Sequence, residues 1–539
     1  MARMTGGEAI VDTLLRHGVD TVFGLPGVQT YGLFDALARQ SNRIRLINAR
    51  HEQGSAYMAL GYAKGSGRPG VFTVVPGPGV LNAMGAICTA YGVNAPVVCL
   101  TGQIFSNMFG QGRGVLHELP DQLATMRSVM KWADRIEHPS AAPELVAEAF
   151  RRATSGRNGP VAVEMFWDHF TLPAEVTPCD PKPLIPSAAP DPVAIAAVVK
   201  LIAAAKKPMI YVGGGAADAG EAVRLLAERM GVPVVGHRSG LGVLPAAHPL
   251  SLPLAIGWPL WQETDLLIGI GSRLEGPAIR WGGMRPGVKT IRIDIDPAEM
   301  RRLRPDVAVI ADAADGAAAL LAALGDTVVA PRGEEIAAAR VAVGAQIDAI
   351  QPHADYLRAL RKLMPADSYI VDEVCQAGFT ATFAYPIERP RGFVTSGYQG
   401  TLGAGFPMAL GVKVANPDKP VVSLTGDGGF LFGASELATA AQHGIALVTV
   451  LFNNSAYGNV LRDQRRLFDG RAHGSQLQNP DFQKYAESFG VRSWRVNTTE
   501  GFASAVSAAL AEKGPTVVEV MTDITTETSP WPLISPLRS

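Results

Sequence analysis

Two apolar segments in the C-terminal third of the chain each end in a short polar signature, and this feature constrains the fold most. VVSLTG (421 to 426) runs into Asp427-Gly428-Gly429, and LVTVLF (447 to 452) runs into Asn453-Asn454. Between Gly428 and Asn453 lie 24 residues, enough for a helical crossover. The pattern predicts neighbouring parallel strands of an α/β sheet, whose carboxyl ends bind ligands.

The residue types at these two strand ends suit a hard cation beside a phosphate. Asp427 offers a carboxylate oxygen and Asn454 an amide oxygen, which are ligands for Mg²⁺ rather than for zinc. The glycines allow backbone amides to approach a phosphate, and the following helix presents its positive end. We expect diphosphate oxygens, a water and a backbone carbonyl near Ala456 to complete the octahedron. Each signature alone is also common as a turn or a helix cap.

The rest of the chain repeats the alternation of apolar strands and helical stretches. Further strands are predicted at 44–48, 71–75, 96–102 and 160–165, at 208–215, 232–236, 266–272 and 290–296, and at 368–373 and 516–521. At 539 residues, with 58 Gly and 39 Pro, it exceeds one ordinary core. Seven prolines between Thr171 and Pro192 predict a semi-extended linker without regular structure. We predict an α/β protein of three doubly wound parallel-sheet domains, at 1–168, 192–325 and 360–539, with a Pro-rich linker at 169–191 and a helical connector around 333–362.

Charge and cysteine content exclude several classes of protein. Lys and Arg number 48 and Asp and Glu 49, a formal net charge of -1, so no overall charge favours nucleic acid or an anionic membrane. The first residues lack the apolar core of a signal peptide, and no run approaches the roughly 18 apolar residues of a membrane span. The four cysteines show no CxxC spacing. We expect a cytoplasmic protein with no nucleic-acid partner and no membrane contact.

Further motifs extend the pattern over nearly the whole chain: FGLPG (23 to 27), ARHEQGSAYMALGYA (49 to 63), VVPGPGVLNA (74 to 83), LTGQ (100 to 103), GTLGAGFPMALG (400 to 411) and NPDF (479 to 482). Together with GDGG and NN, they resemble the thiamine diphosphate (ThDP) enzymes of the acetolactate synthase, benzaldehyde lyase and 2-oxo acid decarboxylase superfamily. The resemblance implies ThDP and Mg²⁺ as cofactors.

Glu52 follows a predicted strand and opens a helix, where an ordinary acid would also be stabilised by the helix dipole. The resemblance implies that Glu52 binds the pyrimidine ring nitrogen of ThDP. A buried carboxylate there drives the aminopyrimidine to its imino form, which removes the proton from thiazolium C2. By resemblance, Leu402 is the wedge that forces the cofactor into a V, and Gly400 offers its carbonyl to the 4'-amino group. Acetolactate synthases usually have Met at the wedge.

The remaining positions are carried over from the same motifs. The resemblance implies metal binding by Asp427, Asn454 and Ala456, and it implies that these residues bind the cofactor: Gly27, Glu52, Pro76, Asn82, Val374, Cys375, Gln376, Gly400, Leu402, Gly426, Asp427, Gly428, Gly429, Asn454, Ala456, Tyr457 and Gly458.

The substrate positions depart most from the family pattern. Val28 and Gln29 stand where several relatives have an acidic, serine or histidine side chain, and Gln29 cannot act as an acid or base near neutral pH. His117 stands where acetolactate synthases and benzaldehyde lyase have glutamine. A lone histidine is often only a packing or surface residue, but an imidazole here could shuttle protons to the substrate oxygen. We take Glu52, His117 and Gln29 as the candidate catalytic residues.

The central segment contains VGGG (212 to 215), which invites a dinucleotide interpretation. The fingerprint fails, because Asp218 stands where its third glycine belongs. Arg273 resembles the arginine of flavin-binding relatives, and Asp294 would suit a ribose hydroxyl, but neighbouring residues do not match. We therefore expect no nucleotide in the central domain, with FAD or ADP as the alternative.

These observations predict a carbon–carbon lyase or ligase that decarboxylates a 2-oxo acid to an enamine, which is then protonated or added to a second carbonyl of a 2-oxo acid or aldehyde. Resemblance implies a homodimer or homotetramer with active sites at the subunit interface. The alternative within the superfamily is a 2-hydroxyacyl-CoA lyase or oxalyl-CoA decarboxylase. A nicotinamide-dependent oxidoreductase lacks its fingerprint here, and an inactive relative is expected to have lost Glu52 or Asp427.

Overall fold

The computed structural model describes residues 1–537 and contains three parallel sheets of six strands, each flanked by helices. The predicted fold class of three parallel-sheet units is confirmed. Positions 538 and 539 of the predicted C-terminal domain lie outside the described residues. Within the described chain, no helix is both long and apolar enough to cross a bilayer.

The N-terminal part contains eight strands and six helices. The strands are β1 (Ala2–Thr5), β2 (Thr21–Gly24), β3 (Arg45–Asn48), β4 (Gly70–Val74), β5 (Val97–Gln103), β6 (Trp132–Ile136), β7 (Val161–Phe166) and β8 (Pro173–Val176). The helices are α1 (Gly6–Arg16), α2 (Tyr31–Arg39), α3 (Glu52–Ser66), α4 (Pro78–Gly92), α5 (Gln122–Arg127) and α6 (Ala142–Thr154). The large sheet has the order β3-β2-β4-β5-β7-β6.

The Pro-rich linker contains a strand, which corrects the prediction that it has no regular element. β8 pairs antiparallel with β1, with Pro173 opposite Thr5. A proline is tolerated at the first position of a strand in a two-stranded sheet, because no central ladder loses a donor there.

The central part has the strand order β11-β10-β9-β12-β13-β14. Its strands are β9 (Pro208–Val212), β10 (Val234–Gly236), β11 (Ser251–Pro253), β12 (Leu266–Ile270), β13 (Lys289–Asp294) and β14 (Val307–Ile310). Its helices are α7 (Pro192–Ala204), α8 (Gly220–Met230), α9 (Leu254–Trp261), α10 (Pro297–Arg302) and α11 (Ala313–Ala323), and the connector that follows consists of α12 (Gly333–Asp348) and α13 (His353–Leu363).

The C-terminal part has the order β16-β15-β17-β18-β20-β19. Its strands are β15 (Tyr369–Asp372), β16 (Phe393–Val394), β17 (Val421–Gly426), β18 (Val448–Asn453), β19 (Arg492–Val496) and β20 (Thr516–Met521). Its helices are α14 (Gln376–Ala384), α15 (Gly405–Ala415), α16 (Asp427–Phe430), α17 (Leu437–Gln442), α18 (Gly458–Leu467), α19 (Phe482–Ser488), α20 (Thr499–Ala511) and α21 (Trp531–Ile534).

Helices α3 and α15 join the N-terminal and C-terminal sheets through one apolar cluster. They touch at two glycines: a Cβ on Gly61 would lie 1.9 Å from the carbonyl oxygen of Met408, and one on Gly411 would lie 1.9 Å from that of Met58. Neither position accepts even an alanine without moving the backbone. The helix that begins at Glu52 is thereby fixed against the helix that follows the GTLG segment.

Candidate active site

Asp427 is a buried carboxylate at the carboxyl end of β17. It is the first residue of α16 and is 2% exposed. Its Oδ2 accepts a hydrogen bond from Nδ2 of Asn479 at 2.7 Å, and burial raises its pKa. Among residues 1–537 no Lys, Arg or His forms an ion pair with it. A buried carboxylate without a cationic partner is costly, and a bound Mg²⁺ would relieve that cost.

Asn454 lies just past the end of the adjacent strand β18, and its amide orientation is fixed. Its Nδ2 donates to both carboxylate oxygens of Glu527, at 3.0 and 3.2 Å. Because the amide nitrogen is engaged, the carbonyl oxygen Oδ1 remains for an ion. Ala456 lies beside Asp427, since its backbone N–H helps to lower the pKa of that carboxyl. The structure thus brings the three predicted metal residues together.

The glycines around Asp427 are required by close packing. A Cβ on Gly428 would lie 2.5 Å from Cε1 of Tyr457, and one on Gly426 would lie 3.0 Å from Cβ of Cys375. A Cβ on Gly458 would approach Nδ2 of Asn454 to 3.0 Å. Side chains at these positions would fill the space at the strand ends, so the predicted cofactor residues form one small cradle.

Glu527 is a site residue that sequence reasoning missed. Besides holding Asn454, it accepts a hydrogen bond from Arg462 and one from Thr522 Oγ1 at 2.7 Å. The same Arg462 donates from Nη1 to Oε1 of Gln376 at 2.9 Å, which links a predicted cofactor residue to this network. In the sequence, Glu527 is an acidic residue within the polar segment TETSPW, and that segment alone does not indicate which residues Glu527 contacts.

Glu373 was also missed, although it directly follows β15. It is 1% exposed, and its Oε2 accepts from the backbone N–H of Gly405 at 2.9 Å. Burial raises its pKa to about 7. A Cβ on Gly429 would lie 2.9 Å from its Cγ. Glu373 therefore connects the GDGG turn to the loop of Gly400, which has φ 56°, and of the half-buried Leu402.

In the N-terminal domain, Glu52 and Asn82 lie together. Glu52 begins α3, and its Oε2 accepts from Nδ2 of Asn82 at 3.0 Å. The side chain of Glu52 is 14% exposed. Preceding it, Nδ1 of His51 accepts from the N–H of Gln53 and caps the helix. The carboxylate is thus held at the start of a helix by a side-chain hydrogen bond.

A second group in the same domain contains the other candidate catalytic residues. Gln29 is fully buried, and its Nε2 donates to the carbonyl of Leu116 at 2.9 Å. Its Oε1 therefore accepts from Nδ1 of His117, 2.9 Å away. His117 has φ 69°. The backbone of Gly102 packs between Gln29 and Pro76, and a Cβ on Gly27 would lie 2.2 Å from Cγ1 of Val75.

Glu436, a third missed residue, ties the two domains together beside Glu52. It is 1% exposed and accepts from the backbone N–H groups of Arg50 and His51, at 3.1 and 3.0 Å. A Cβ on Gly54 would lie 2.2 Å from its Oε1. A carboxylate of the C-terminal domain thus holds the start of α3.

A cleft of about 510 Å³ lies where the central domain meets the other two domains, and Arg273 and Asp294 line its central-domain side. It opens where the strand order reverses, between β9 and β12. Burial raises the pKa of Asp294 to about 6. Two glycines of this cleft pack closely against each other, because a Cβ on Gly215 would lie 3.0 Å from the carbonyl oxygen of Gly271.

The buried acid and amide groups at the ends of the parallel strands, with the glycine cradle between them, have the chemistry that would suit a metal ion and a diphosphate. Three models for thiamine pyrophosphate enzymes match the chain: the N-terminal TPP binding domain over residues 4–125, the central domain over 195–321 and the C-terminal TPP binding domain over 373–520.

Relatives cover nearly the whole chain. A probable 2-ketoarginine decarboxylase of Pseudomonas aeruginosa is 34% identical over 96% of this chain and 94% of its own. The large subunit of acetolactate synthase isozyme 1 of Escherichia coli is 32% identical over 99% of this chain and 96% of its own. A probable acetolactate synthase large subunit of Methanocaldococcus jannaschii is 33% identical over 96% of this chain and 92% of its own. The chain belongs to the ThDP-dependent enzymes of the acetolactate synthase and decarboxylase type.

Proposed function

We propose that this protein is a ThDP- and Mg²⁺-dependent lyase or ligase that decarboxylates a 2-oxo acid and then protonates the product or joins it to a second carbonyl compound. The observation that carries the proposal is the buried Asp427, which pairs with no cation among residues 1–537 and lies at a strand end next to that of Asn454, whose amide nitrogen is held by Glu527. Asp427, the Oδ1 of Asn454 and the backbone of Ala456 would hold the ion against the diphosphate.

When bound, ThDP supplies a nucleophilic carbon and an electron sink for decarboxylation. Glu52, oriented by Asn82, keeps a carboxylate ready to share a proton with the pyrimidine ring. Because Nδ1 of His117 donates to Gln29, Nε2 is the ring nitrogen that would take up a proton from the substrate hydroxyl or water and deliver it again during product formation. Gln29 acts by fixing this tautomer.

We propose a homodimer or homotetramer in which Glu52 of one chain completes the site around Asp427 of another. Apolar side chains lie exposed near both halves: Leu81, beside Asn82, is 47% exposed, and Phe432, just after α16, is 56% exposed. Such side chains favour a protein contact over solvent.

Mixing two inactive variants tests the shared site. Glu52→Gln and Asp427→Ala chains, refolded or co-expressed together, should regain about a quarter of wild-type activity, because half of the random dimers then carry one intact site. If both residues act within one chain, the mixture stays inactive, and the proposed arrangement is wrong.

A substrate panel tests the reaction itself. The holoprotein, cofactor-loaded with ThDP and Mg²⁺, is incubated with 2-oxo acids of different side chains, with and without aldehydes, and products are identified by mass spectrometry. CO₂ release with aldehyde or acyloin formation supports the proposal. Turnover of acyl-CoA substrates alone would contradict it. We expect the central domain to bind no FAD, so the purified protein should show no flavin absorbance.

A further inference from the structure

A cavity of about 190 Å³ lies between the central and C-terminal domains. The central domain contributes His237, Arg238 and Arg280, and the C-terminal domain contributes Asp372. Val374 and Gly400, two of the predicted cofactor residues, also line it. The cavity would therefore lie next to the cofactor, on the side of the central domain.

Three polar groups of this cavity lack hydrogen-bond partners within residues 1–537. His237 and Asp372 are each 8% exposed, and both ring nitrogens of His237 and Oδ1 of Asp372 make no hydrogen bond. Nη1 of Arg238 is buried and likewise makes none. Buried polar groups are nearly always satisfied in native proteins, so three exceptions around one cavity indicate a missing ligand.

The charged groups around the cavity indicate whether that ligand is an anion or a cation. Arg280 donates to Oε1 of Glu275 from Nε and Nη2, at 3.0 and 2.8 Å. Arg238 only lies 3.4 Å from the other oxygen of the same Glu275. Burial raises the pKa of Asp372 to about 7 and lowers that of His237 to about 3, so Asp372 readily takes up a proton and His237 is neutral. Although burial opposes it, the neighbouring guanidinium groups of Arg238 and Arg280 help to hold the pKa of Glu275 below its ordinary value, so two cations share this one carboxylate.

The backbone of Arg238 adds an independent argument. Its φ is 49°, in the left-handed region that long side chains rarely occupy. Strained residues of this kind cluster at ligand-binding sites, where the surrounding structure holds them in place. Here the residue in this conformation is one whose side chain lines the cavity.

We propose that the cavity binds an anionic group of the 2-oxo acid substrate, with Arg238 as the anion-binding residue and His237 as a second donor. This rests on the proposed function and adds a substrate class to it. The anion is either the carboxylate that leaves as CO₂ or a second acidic group on the substrate side chain. A substrate ending in a guanidinium, as the name of the 2-ketoarginine decarboxylase relative indicates for that protein, would be repelled here.

Calorimetry on the holoprotein tests the site without turnover, using glutarate, butyrate and agmatine as unreactive probes. Arg238→Met should weaken glutarate binding at least about tenfold, the loss expected for one charge-assisted contact, while Arg238→Lys restores part of it. Arg301→Met, at an exposed arginine of the same domain, is the control and should change nothing. Thermal melts verify that each variant is folded.

The probes distinguish the sources of the anion. Equal losses for butyrate and glutarate identify the leaving carboxylate, and a loss confined to glutarate identifies a second acidic group. Agmatine binding, or anion binding unaffected by Arg238→Met, overturns the proposal. Should Arg238→Met not fold, the same criteria apply to Arg238→Gln, which also removes the charge. If no 2-oxo acid is turned over but Arg238→Met still abolishes anion binding, the cavity assignment stands and the proposed function fails.

Discussion

The N-terminal and C-terminal domains have the same strand order but present very different chemistry at their strand ends. When the six strands of each sheet are numbered along the chain, the N-terminal and C-terminal sheets have the spatial order 2-1-3-4-6-5. The central sheet has the order 3-2-1-4-5-6. The C-terminal half-site buries Asp427 and Glu373 almost completely. The N-terminal half-site has Glu52, at 14% exposed, next to the exposed Asn82.

This difference shows how one fold serves two tasks. Under the proposed function, the buried Asp427 would be stabilised by a metal ion bound to the diphosphate, so the C-terminal domain would hold the cofactor. Glu52, at the accessible start of α3, would share a proton with the pyrimidine ring under the same proposal, so the N-terminal domain would activate the cofactor.

The largest effect is expected for Asp427→Ala. Removing the only carboxylate among the predicted metal residues should abolish ThDP and Mg²⁺ retention, measured by calorimetry, because the diphosphate loses its bridging charge. Asp469→Asn, in an exposed loop, is the control. Exhaustive EDTA dialysis of the wild type should likewise remove activity until both Mg²⁺ and ThDP are restored. Normal cofactor binding by Asp427→Ala would end the assignment.

Glu52→Gln should separate activation from binding. The amide keeps the shape of the side chain but removes the shared proton, so ThDP should still bind while C2 deprotonation slows by roughly 10² to 10⁴. Hydrogen–deuterium exchange at C2, followed by NMR, measures this directly. An unchanged exchange rate would make Glu52 an ordinary helix-start acid and erase the contrast between the domains.

His117→Gln tests proton delivery in the N-terminal half-site. Glutamine forms hydrogen bonds but moves no proton, so aldehyde formation should fall relative to acyloin formation by at most about 10²-fold. The readout is the aldehyde to acyloin ratio, with its pH profile, for one 2-oxo acid that the wild type converts. If both remain fixed, the proton donor is another group, with Glu118 and Tyr457 the next candidates.

Glu527→Gln tests the support of the C-terminal half-site. The new amide cannot accept both hydrogen bonds from Asn454 and would present a donor to Arg462, so Mg²⁺ affinity should fall by roughly 10-fold, at the lower end for lost orienting partners. Titration of Mg²⁺ against ThDP-dependent fluorescence quenching measures the effect. Glu487→Gln, at an exposed position of α19, should leave it unchanged. Equal affinities would make Glu527 a packing residue only.

The smallest effect concerns the pH dependence of stability. The folded chain keeps the proton of Asp372 up to about pH 7, whereas the unfolded chain releases it near 3.8. Stability from this group is therefore lost as pH rises between those values. Asp372→Asn should remove this loss. The free energy of unfolding of the cofactor-free variant, compared with that of the cofactor-free wild type, should therefore be more favourable at pH 8 than at pH 4 by about 1 to 3 kcal/mol. Parallel melting curves across this range would contradict it.

The strands recognised from sequence are largely the interior ones. In the central and C-terminal sheets, the unrecognised strands β11, β14, β16 and β19 are the four edges. Edge strands are short or mix polar with apolar residues, as in the RSWRV of β19, because one side meets water. Interior strands are buried on both faces and read as continuous apolar runs.

The sequence by itself determined the family, the three-sheet architecture and the residues that directly follow apolar strands, because backbone geometry places such residues at one edge of a sheet. Only the tertiary structure decided which distant groups meet them. Glu527 contacts Asn454, which lies 73 positions away in the chain, and Glu436 contacts Arg50 before α3, which lies 386 positions away. Arg238 and Asp372 line one cavity although 134 positions separate them. No local pattern encodes these meetings, because they depend on how whole domains pack.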